Sequence, residues 1–258
     1  MVRGLAFFYG TVCYLIFFGT FLYAIGFIGD LVVPKTIDTG VGGPIGTAIA
    51  VNVILLGIFA VQHSVMARPG FKTWWTRIVP EPVERSTYVL LSSLLLILLF
   101  WQWRPMTGVI WHVTNPMGEA VLWAVFAIGW LLVLLSTFVI DHFDLFGMRQ
   151  VYFYARGKPV PALKFKVIWF YKYVRHPLLL GWLIAFWGIP LMTEGHLLFA
   201  VVTSIYIFVA IQFEERDLVS AHGDDYRGYQ RKVPMIFPIP TRKESGSSVA
   251  ARHERGKM

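Results

Sequence analysis

Four short polar clusters interrupt an otherwise apolar sequence, and their side chains could handle protons and charged ligands. They are Gln62-His63-Ser64, Asp141-His142-Phe143-Asp144, Arg175-His176 and Glu214-Glu215. Imidazole and carboxylate groups within a few residues of one another suit acid–base chemistry near neutral pH. Paired glutamates can hold an ammonium group or two ribose hydroxyls. Each cluster also has a structural interpretation as a charged helix end, and Glu214-Glu215 could equally pair with Arg216 on a solvated face.

Pro177 follows His176 directly and indicates the start of a helix, since proline is well tolerated in the first helical turn. The N–H groups at such a start carry partial positive charge and suit a carboxylate or a phosphate. Together with the acidic pair Glu214-Glu215, this predicts a ligand that has both a carboxylate and a cationic centre.

The composition indicates that lipid surrounds most of the chain. Hydrophobic residues make up 56% of its 258 residues and charged residues only 15%, with a mean hydropathy of +0.60. Soluble domains carry about 25% charged residues, so this chain has too few polar groups to cover a soluble core. The net charge of +8 comes from basic residues between apolar runs, which argues against a nucleic-acid partner. Cys13 is the only cysteine, which excludes an internal disulfide and thiolate metal motifs, and we expect no metal.

The apolar runs predict an all-α, polytopic integral membrane bundle of about five to six transmembrane helices. A helical span needs roughly 17–25 mostly apolar residues. Pro190 and the turn Thr193-Glu194-Gly195 separate the last two runs, which we interpret as two tilted crossings; a hairpin that barely crosses is the alternative. Residues 1–240 would form one membrane domain, and the polar segment 241–258 a disordered tail. The predicted spans are 5–28, 45–66, 87–103, 119–140, 177–193 and 196–213.

The distribution of basic residues predicts the orientation of these spans. Every lysine and arginine except Lys35 and Arg104 falls in segments that would lie on one side of the bilayer. Because cytoplasmic loops are enriched in basic residues, both termini should be cytoplasmic and the number of crossings even, which favours six. We therefore expect an integral protein of a bacterial-type inner membrane. The four polar clusters would meet at its cytoplasmic face and form a cofactor pocket there.

The polar clusters belong to a longer pattern in the C-terminal half. This pattern resembles the C-terminal half of membrane methyltransferases, which include the isoprenylcysteine carboxyl methyltransferases and the bacterial phospholipid methyltransferases. It begins with Arg175-His176-Pro177, Gly181-Trp182 and Glu214-Glu215. Glycine-rich nucleotide-binding fingerprints are missing, as expected for this membrane class. The later residues that share the pattern are Leu218, His222-Gly223, Tyr226, Tyr229, Val233-Pro234 and Pro238.

The N-terminal half narrows the resemblance. Three segments of this half are similar to segments of the methanethiol S-methyltransferases, namely Gln62-His63-Ser64, Glu84-Arg85-Ser86 and residues 141–147. That family lies within the broader group related to the NnrU membrane proteins. This resemblance implies methyl transfer from S-adenosylmethionine to methanethiol, with release of dimethyl sulfide. It also implies the residues of a cofactor site, which are Tyr171, Arg175, His176, Pro177, Gly181, Glu214 and Glu215.

Methylation of a thiol requires removal of the thiol proton, so we expect a base near the cofactor. The candidates, in order of preference, are His142, Asp141 and His63, and Asp141 could instead orient an imidazole. The expected partners are the small thiol and the lipid bilayer, without nucleic acid.

Two other interpretations stay open from the sequence alone. One is a methyltransferase that acts on a phospholipid amine or an isoprenoid thiol. The other is a non-enzymatic NnrU-like or haem-binding membrane protein, with His63 and His142 as axial ligands. A transporter is disfavoured, because the charged residues cluster at one face instead of along a path at the midplane.

Overall fold

The computed structural model describes residues 2–162 and 167–238 and confirms the predicted all-α membrane bundle. Within this part of the chain, five helices are long and apolar enough to cross a membrane, namely Arg3–Gly29, Ile45–Ala67, Glu81–Gln102, Pro116–Ile140 and Glu194–Lys232. The predicted tail, 241–258, lies outside the described residues. The elements are α1 (Arg3–Gly29), α2 (Ile45–Ala67), α3 (Pro69–Trp75), α4 (Glu81–Gln102), β1 (Val109–His112), α5 (Pro116–Ile140), α6 (His142–Leu145), α7 (Met148–Ala155), a 3₁₀ turn (Trp169–Lys172), α8 (Pro177–Trp187), β2 (Leu191–Thr193) and α9 (Glu194–Lys232).

The predicted crossing over residues 177–193 combines a short helix with extended chain. α8 has 11 residues, about 16 Å at 1.5 Å per residue, which is too short to span a bilayer alone. After Trp187 the chain leaves the helical path, and Pro190 lacks the N–H that would continue it. β2 then pairs antiparallel with β1, with Thr193 opposite Val109.

α9 returns from this strand to the level at which α8 began. His176, just before α8, lies 2.8 Å from the carboxylate of Glu215. Glu215 lies about 32 Å along α9 from Glu194, at 1.5 Å per residue. α8 and its extended continuation therefore cover the same depth as this part of α9. The number of membrane crossings stays a prediction.

Small residues let α8 pack closely against α5. A Cβ on Gly129 would lie 2.5 Å from the backbone nitrogen of Ala185, and a Cβ on Gly181 would lie 2.8 Å from that of Val133. Both distances are too short for any side chain, so glycine is needed at both positions. Close approach of backbones through small residues is a usual way for membrane helices to gain van der Waals contact.

The two ends of the bundle differ in chemistry. At one end, loops satisfy their own polar groups: the Trp103 indole donates to the carbonyl of Ile37 at 3.0 Å, and the Thr193 hydroxyl donates to Asp38 at 2.6 Å. The other end, where α5 ends and α8 begins, carries the four polar clusters. We call it the polar end.

Candidate active site

Glu215 is the centre of a buried hydrogen-bond network at the polar end. Its Oε1 accepts from Arg175 Nε at 2.7 Å, His176 Nε2 at 2.8 Å and the Tyr226 hydroxyl at 3.0 Å. Its Oε2 accepts from Arg175 Nη2 at 3.1 Å and from the side-chain amide of Gln230. The side chains of Arg175 and Glu215 are each only 11% exposed. Both carboxylate oxygens are therefore occupied by donors of the protein itself.

The chain after α9 holds the segment before α8 in place. The backbone N–H of Arg175 donates to the carbonyl of Pro234 at 2.9 Å, and that of His176 to Met235 at 3.1 Å. α9 is broken at Gly223, whose φ of 55° and ψ of −127° are not helical. A positive φ of this kind favours glycine, which explains the residue at the break. The end of α9 thus turns back and orders the Arg175-His176 pair.

Glu214 differs sharply from its neighbour Glu215. Its side chain is 51% exposed, and its Oε2 lies 3.6 Å from His176 Nδ1, longer than a hydrogen bond. Burial, followed by the Glu214 charge, raises the pKa of the Tyr171 phenol above its usual range, so this phenol stays protonated. We call Glu214, Tyr171 and His176 Nδ1 the open wall: the Glu214 carboxylate is exposed and can bind a ligand, and His176, whose side chain is 4% exposed, lies behind it.

The remaining predicted cofactor residues lie where α8 starts and packs. Pro177 is buried at the first helical position. Gly181 lies one turn further along and contacts α5, so its visible role is helix packing. The structure brings Tyr171, Arg175, His176, Pro177, Glu214 and Glu215 together, with Gly181 below them.

His142 lies at the end of α5 with both ring nitrogens engaged. Its Nε2 lies 2.8 Å from the Tyr14 hydroxyl, and its Nδ1 lies 2.8 Å from the Thr137 hydroxyl. The ring stacks on Phe138 at 4.2 Å between centroids and is 4% exposed. Burial lowers the pKa of His142, while the nearby Asp141 carboxylate acts in the opposite direction. The imidazole is therefore neutral at neutral pH.

Asp141 contacts backbone and arginine rather than the imidazole. Its Oδ1 accepts from the backbone N–H of Asp144 at 3.1 Å and so caps the short helix α6. Arg149 lies 3.4 Å from Asp141 Oδ2 and 3.2 Å from Asp144 Oδ1. The backbone at Asp141 is not helical, with a φ of 167° and a ψ of 93°, so the contact with Arg149, and not a helical repeat, brings the two carboxylates to one side, while His142 faces Tyr14 and Thr137.

His63 lies within α2 and contacts α4. The Tyr88 hydroxyl is 3.0 Å from both of its ring nitrogens, and Ser92 Oγ is 3.4 Å from Nδ1. The next residue, Ser64, donates to the Tyr206 hydroxyl of α9 at 3.2 Å. His63 thus belongs to a second polar cluster beside α9, separate from the contacts of His142.

Packing brings these clusters to the same end of the bundle. α5 and α8 run antiparallel, with Gly129 beside Ala185 and Val133 beside Gly181. One further turn places Thr137, the partner of His142, level with Pro177. On the other side, Arg68 at the end of α2 pairs with Asp217 of α9 at 2.8 Å, two residues after Glu215.

The second turn of α4 anchors the loop that carries His142. Arg85 Nε donates to the carbonyl of Leu145 at 2.8 Å, and Ser86 Oγ donates to that of Gly147 at 3.3 Å. Gly147 has a φ of +84°, and a Cβ there would lie 2.6 Å from the backbone nitrogen of Ser86. The Glu84-Arg85-Ser86 pattern therefore acts here through Arg85 and Ser86, by positioning this loop.

His63 and His142 at the polar end already have hydrogen-bond partners in the protein. Within residues 2–162 and 167–238, no group of three or more His, Cys, Asp and Glu side chains could hold a metal ion. In this same part of the chain, the ring nitrogens of both His63 and His142 face hydroxyl groups of the protein. Axial ligation of haem would require these hydrogen bonds to break.

Comparison with known proteins places the chain in a family. It is 58% identical over 242 residues to a methanethiol S-methyltransferase of Mycobacterium tuberculosis, covering 94% of this chain and 99% of that protein. The chain belongs to the methanethiol S-methyltransferase family. A methanethiol S-methyltransferase of Crocosphaera subtropica is 55% identical over 235 residues, covering 91% and 92%. Nurim of Rattus norvegicus is more distant, at 28% identity over 197 residues and 73% of either chain. No family model and no solved structure matches the chain.

Sequence reasoning missed several residues that shape the polar end. Tyr14 and Thr137 lie inside apolar runs, where a single hydroxyl group is easily interpreted as an ordinary residue of a membrane span. Gln230 lies in the polar C-terminal part of α9 and belongs to no recognisable motif. The spacing of Tyr14, Phe17 and Phe21 on one helical face was the signal available for the first of them.

Proposed function

We propose that this chain transfers a methyl group from S-adenosylmethionine to methanethiol and releases dimethyl sulfide. The observation that carries the proposal is its 58% identity, over 94% of the chain, to a methanethiol S-methyltransferase. The polar end supports it, because groups suited to a charged methyl donor and groups suited to a proton lie there together. S-adenosylmethionine supplies the electrophilic methyl group when it is bound.

The open wall fits the methyl donor by the chemistry of its groups. The exposed Glu214 carboxylate can accept from an ammonium group or from ribose hydroxyls. His176 Nε2 carries a proton, because the Glu215 carboxylate can only accept. In a neutral ring Nδ1 is then an acceptor for a ligand N–H or O–H. The phenol of Tyr171 is a further donor. Arg175 and Glu215 bind each other and thereby position this wall.

His142 is our preferred base for the thiol proton. Its ring is neutral. It lies at the C-terminal end of α5, at the level of Pro177, where the open wall begins. Asp141 is engaged with Arg149 and with the backbone of α6, so its role is to fix the loop and favour imidazolium formation. His63 is the second candidate, with Tyr88 as its partner.

The apolar surroundings suit this reaction. A thiolate that attacks a sulfonium methyl group loses its charge in the transition state, so a dry site favours the reaction compared with water. An aromatic layer lies below the polar end, with the Trp130 ring 5.4 Å from Phe21 and 5.1 Å from Trp182 between centroids. These rings present apolar surface there. In-line placement of the two reactants contributes further acceleration.

We also propose that the polar end faces the cytoplasm of a bacterial cell, which places the site on the side where S-adenosylmethionine is made. The basic residues on this side of the spans support that orientation. Methanethiol and dimethyl sulfide are small and apolar, and they can pass through lipid.

A headspace assay tests the proposed function. Membranes that contain the protein, supplied with methanethiol and S-adenosylmethionine, should release dimethyl sulfide. Omission of either reactant should abolish the signal, as should membranes from cells that lack the protein. Methylation of phospholipid or of an isoprenoid thiol, without dimethyl sulfide, would overturn the proposal.

A further inference from the structure

The environment of His142 leaves one of its nitrogens accessible only through Tyr14. The Thr137 hydroxyl donates to the carbonyl of Leu134 at 2.6 Å, so its single proton is already used. The same oxygen must therefore accept a hydrogen bond from His142 Nδ1, which is 2.8 Å away. Nδ1 thus carries the imidazole proton. In the neutral ring, Nε2 then has a lone pair, which accepts the Tyr14 O–H at 2.8 Å.

The remaining surfaces of the imidazole are covered. Phe138 stacks on the ring at 4.2 Å, and the rings of Phe143 and Phe146 lie at 5.4 Å and 4.9 Å. His142 is 4% exposed and Thr137 is 5% exposed. Tyr14 is only half-buried. A thiol cannot reach Nε2 without displacing the Tyr14 hydroxyl, whereas the oxygen of that hydroxyl has a lone pair to offer.

Tyr14 also lies on the face of α1 that looks toward α5 and α8. Phe21 on the same face contacts Trp130 of α5 at 5.4 Å and Trp182 of α8 at 6.3 Å. Tyr14 lies two turns nearer the polar end, above this aromatic layer. Its phenol, bound to His142, is therefore at the level of the end of α5 and the start of α8, where the proposed reaction takes place.

We propose that Tyr14 is a catalytic residue that takes the thiol proton and passes its own proton to His142. This rests on the proposed function. The S–H bond breaks as Tyr14 Oη gains that proton, the Tyr14 proton moves to Nε2, and the S–H electron pair stays on sulfur. That pair forms the new bond to the methyl carbon, while the bond from this carbon to the sulfonium sulfur breaks and its electron pair goes to the donor. His142 becomes an imidazolium, still donating from Nδ1 to Thr137, and later releases one proton to water.

Tyr14→Phe tests the relay, with Tyr9→Phe as the matched control on the same helix. Tyr9 donates to or accepts from Thr87 at 3.0 Å and lies outside the relay. Tyr14→Phe should slow methylation of methanethiol about 100-fold or more, the usual size of acid–base catalysis, with binding of S-adenosylmethionine unchanged. Tyr9→Phe should remain near the native rate. Both variants are assayed with 2,2,2-trifluoroethanethiol as well, an acidic thiol already ionised at mildly alkaline pH.

Rescue by the acidic thiol separates a relay from a structural role. Tyr14→Phe should approach the native rate with trifluoroethanethiol, because no proton has to be removed. An equal loss with both thiols, or no loss with either, would overturn the relay. For the native protein, a plot of the rate with methanethiol against the fraction of D₂O should be curved, because two protons move in the same step. A linear dependence or none contradicts the proposal even if the variant fails to fold. If the native protein makes no dimethyl sulfide, the proposed function itself has failed.

Discussion

Replacing Glu215 by glutamine should damage the fold of the site far more than the same change at Glu214. Glutamine keeps the shape of the side chain but removes the charge and turns one acceptor into a donor. That donor would then face the donors of Arg175, His176, Tyr226 or Gln230. Arg175, 11% exposed, would lose the carboxylate that it binds through Nε and Nη2.

The magnitude follows from the burial of this pair. Removal of one partner of a buried ion pair costs about 3–5 kcal/mol, because the other charge stays buried without compensation. For a protein of this size, that corresponds to a fall in melting temperature on the order of 10 °C. Glu214→Gln should leave the melting temperature unchanged, because this side chain is half exposed and has no hydrogen bond in the described part of the chain. It should weaken S-adenosylmethionine binding about 10-fold or more, since a hydrogen bond to a charged group is lost.

Thermal unfolding of the detergent-solubilised protein, combined with calorimetric binding of S-adenosylmethionine, measures both effects. Asp224→Asn is the matched control on α9, where the exposed pair with Arg227 at 3.0 Å should contribute almost nothing to stability. A Glu215→Gln protein that melts with the native protein, or a Glu214→Gln protein that binds the donor normally, would refute this division of roles.

Two further predictions concern the base and the helix packing. His142→Ala should slow turnover while donor binding persists. Since burial lowers the His142 pKa below 6.5, the native kcat/KM should fall only as the pH drops below 6.5, and the variant should lack this acid limb in a pH–rate profile. Protonation of the buried ring below pH 6.5 should also lower the free energy of unfolding. The stabilising contribution of the neutral ring is fully present above pH 6.5. Gly181→Ala should lower the melting temperature by several degrees, because its Cβ would lie 2.8 Å from the backbone of Val133, whereas Gly57→Ala, with open space around it, should not. Equal melting of the two alanine variants would contradict the packing argument.

Some of the site could be predicted from sequence because it depends on local signals. Pro177 after His176 predicted a helix start, and α8 begins there. In contrast, nothing in the adjacent pair Glu214-Glu215 distinguishes an exposed carboxylate from a buried one. That difference arises because Glu215 faces the segment before α8 and the end of α9.

By itself the sequence determined that the protein is a helical membrane bundle whose apolar runs are interrupted by four polar clusters. Bilayer thickness and the need to satisfy backbone hydrogen bonds act along a single segment, so apolar run length is sufficient. Only the tertiary structure decided that α8 is short and that His142 shares its proton network with Tyr14. A hydrogen bond requires two atoms within about 3 Å, and for residues this far apart in the chain, helix packing alone sets that distance.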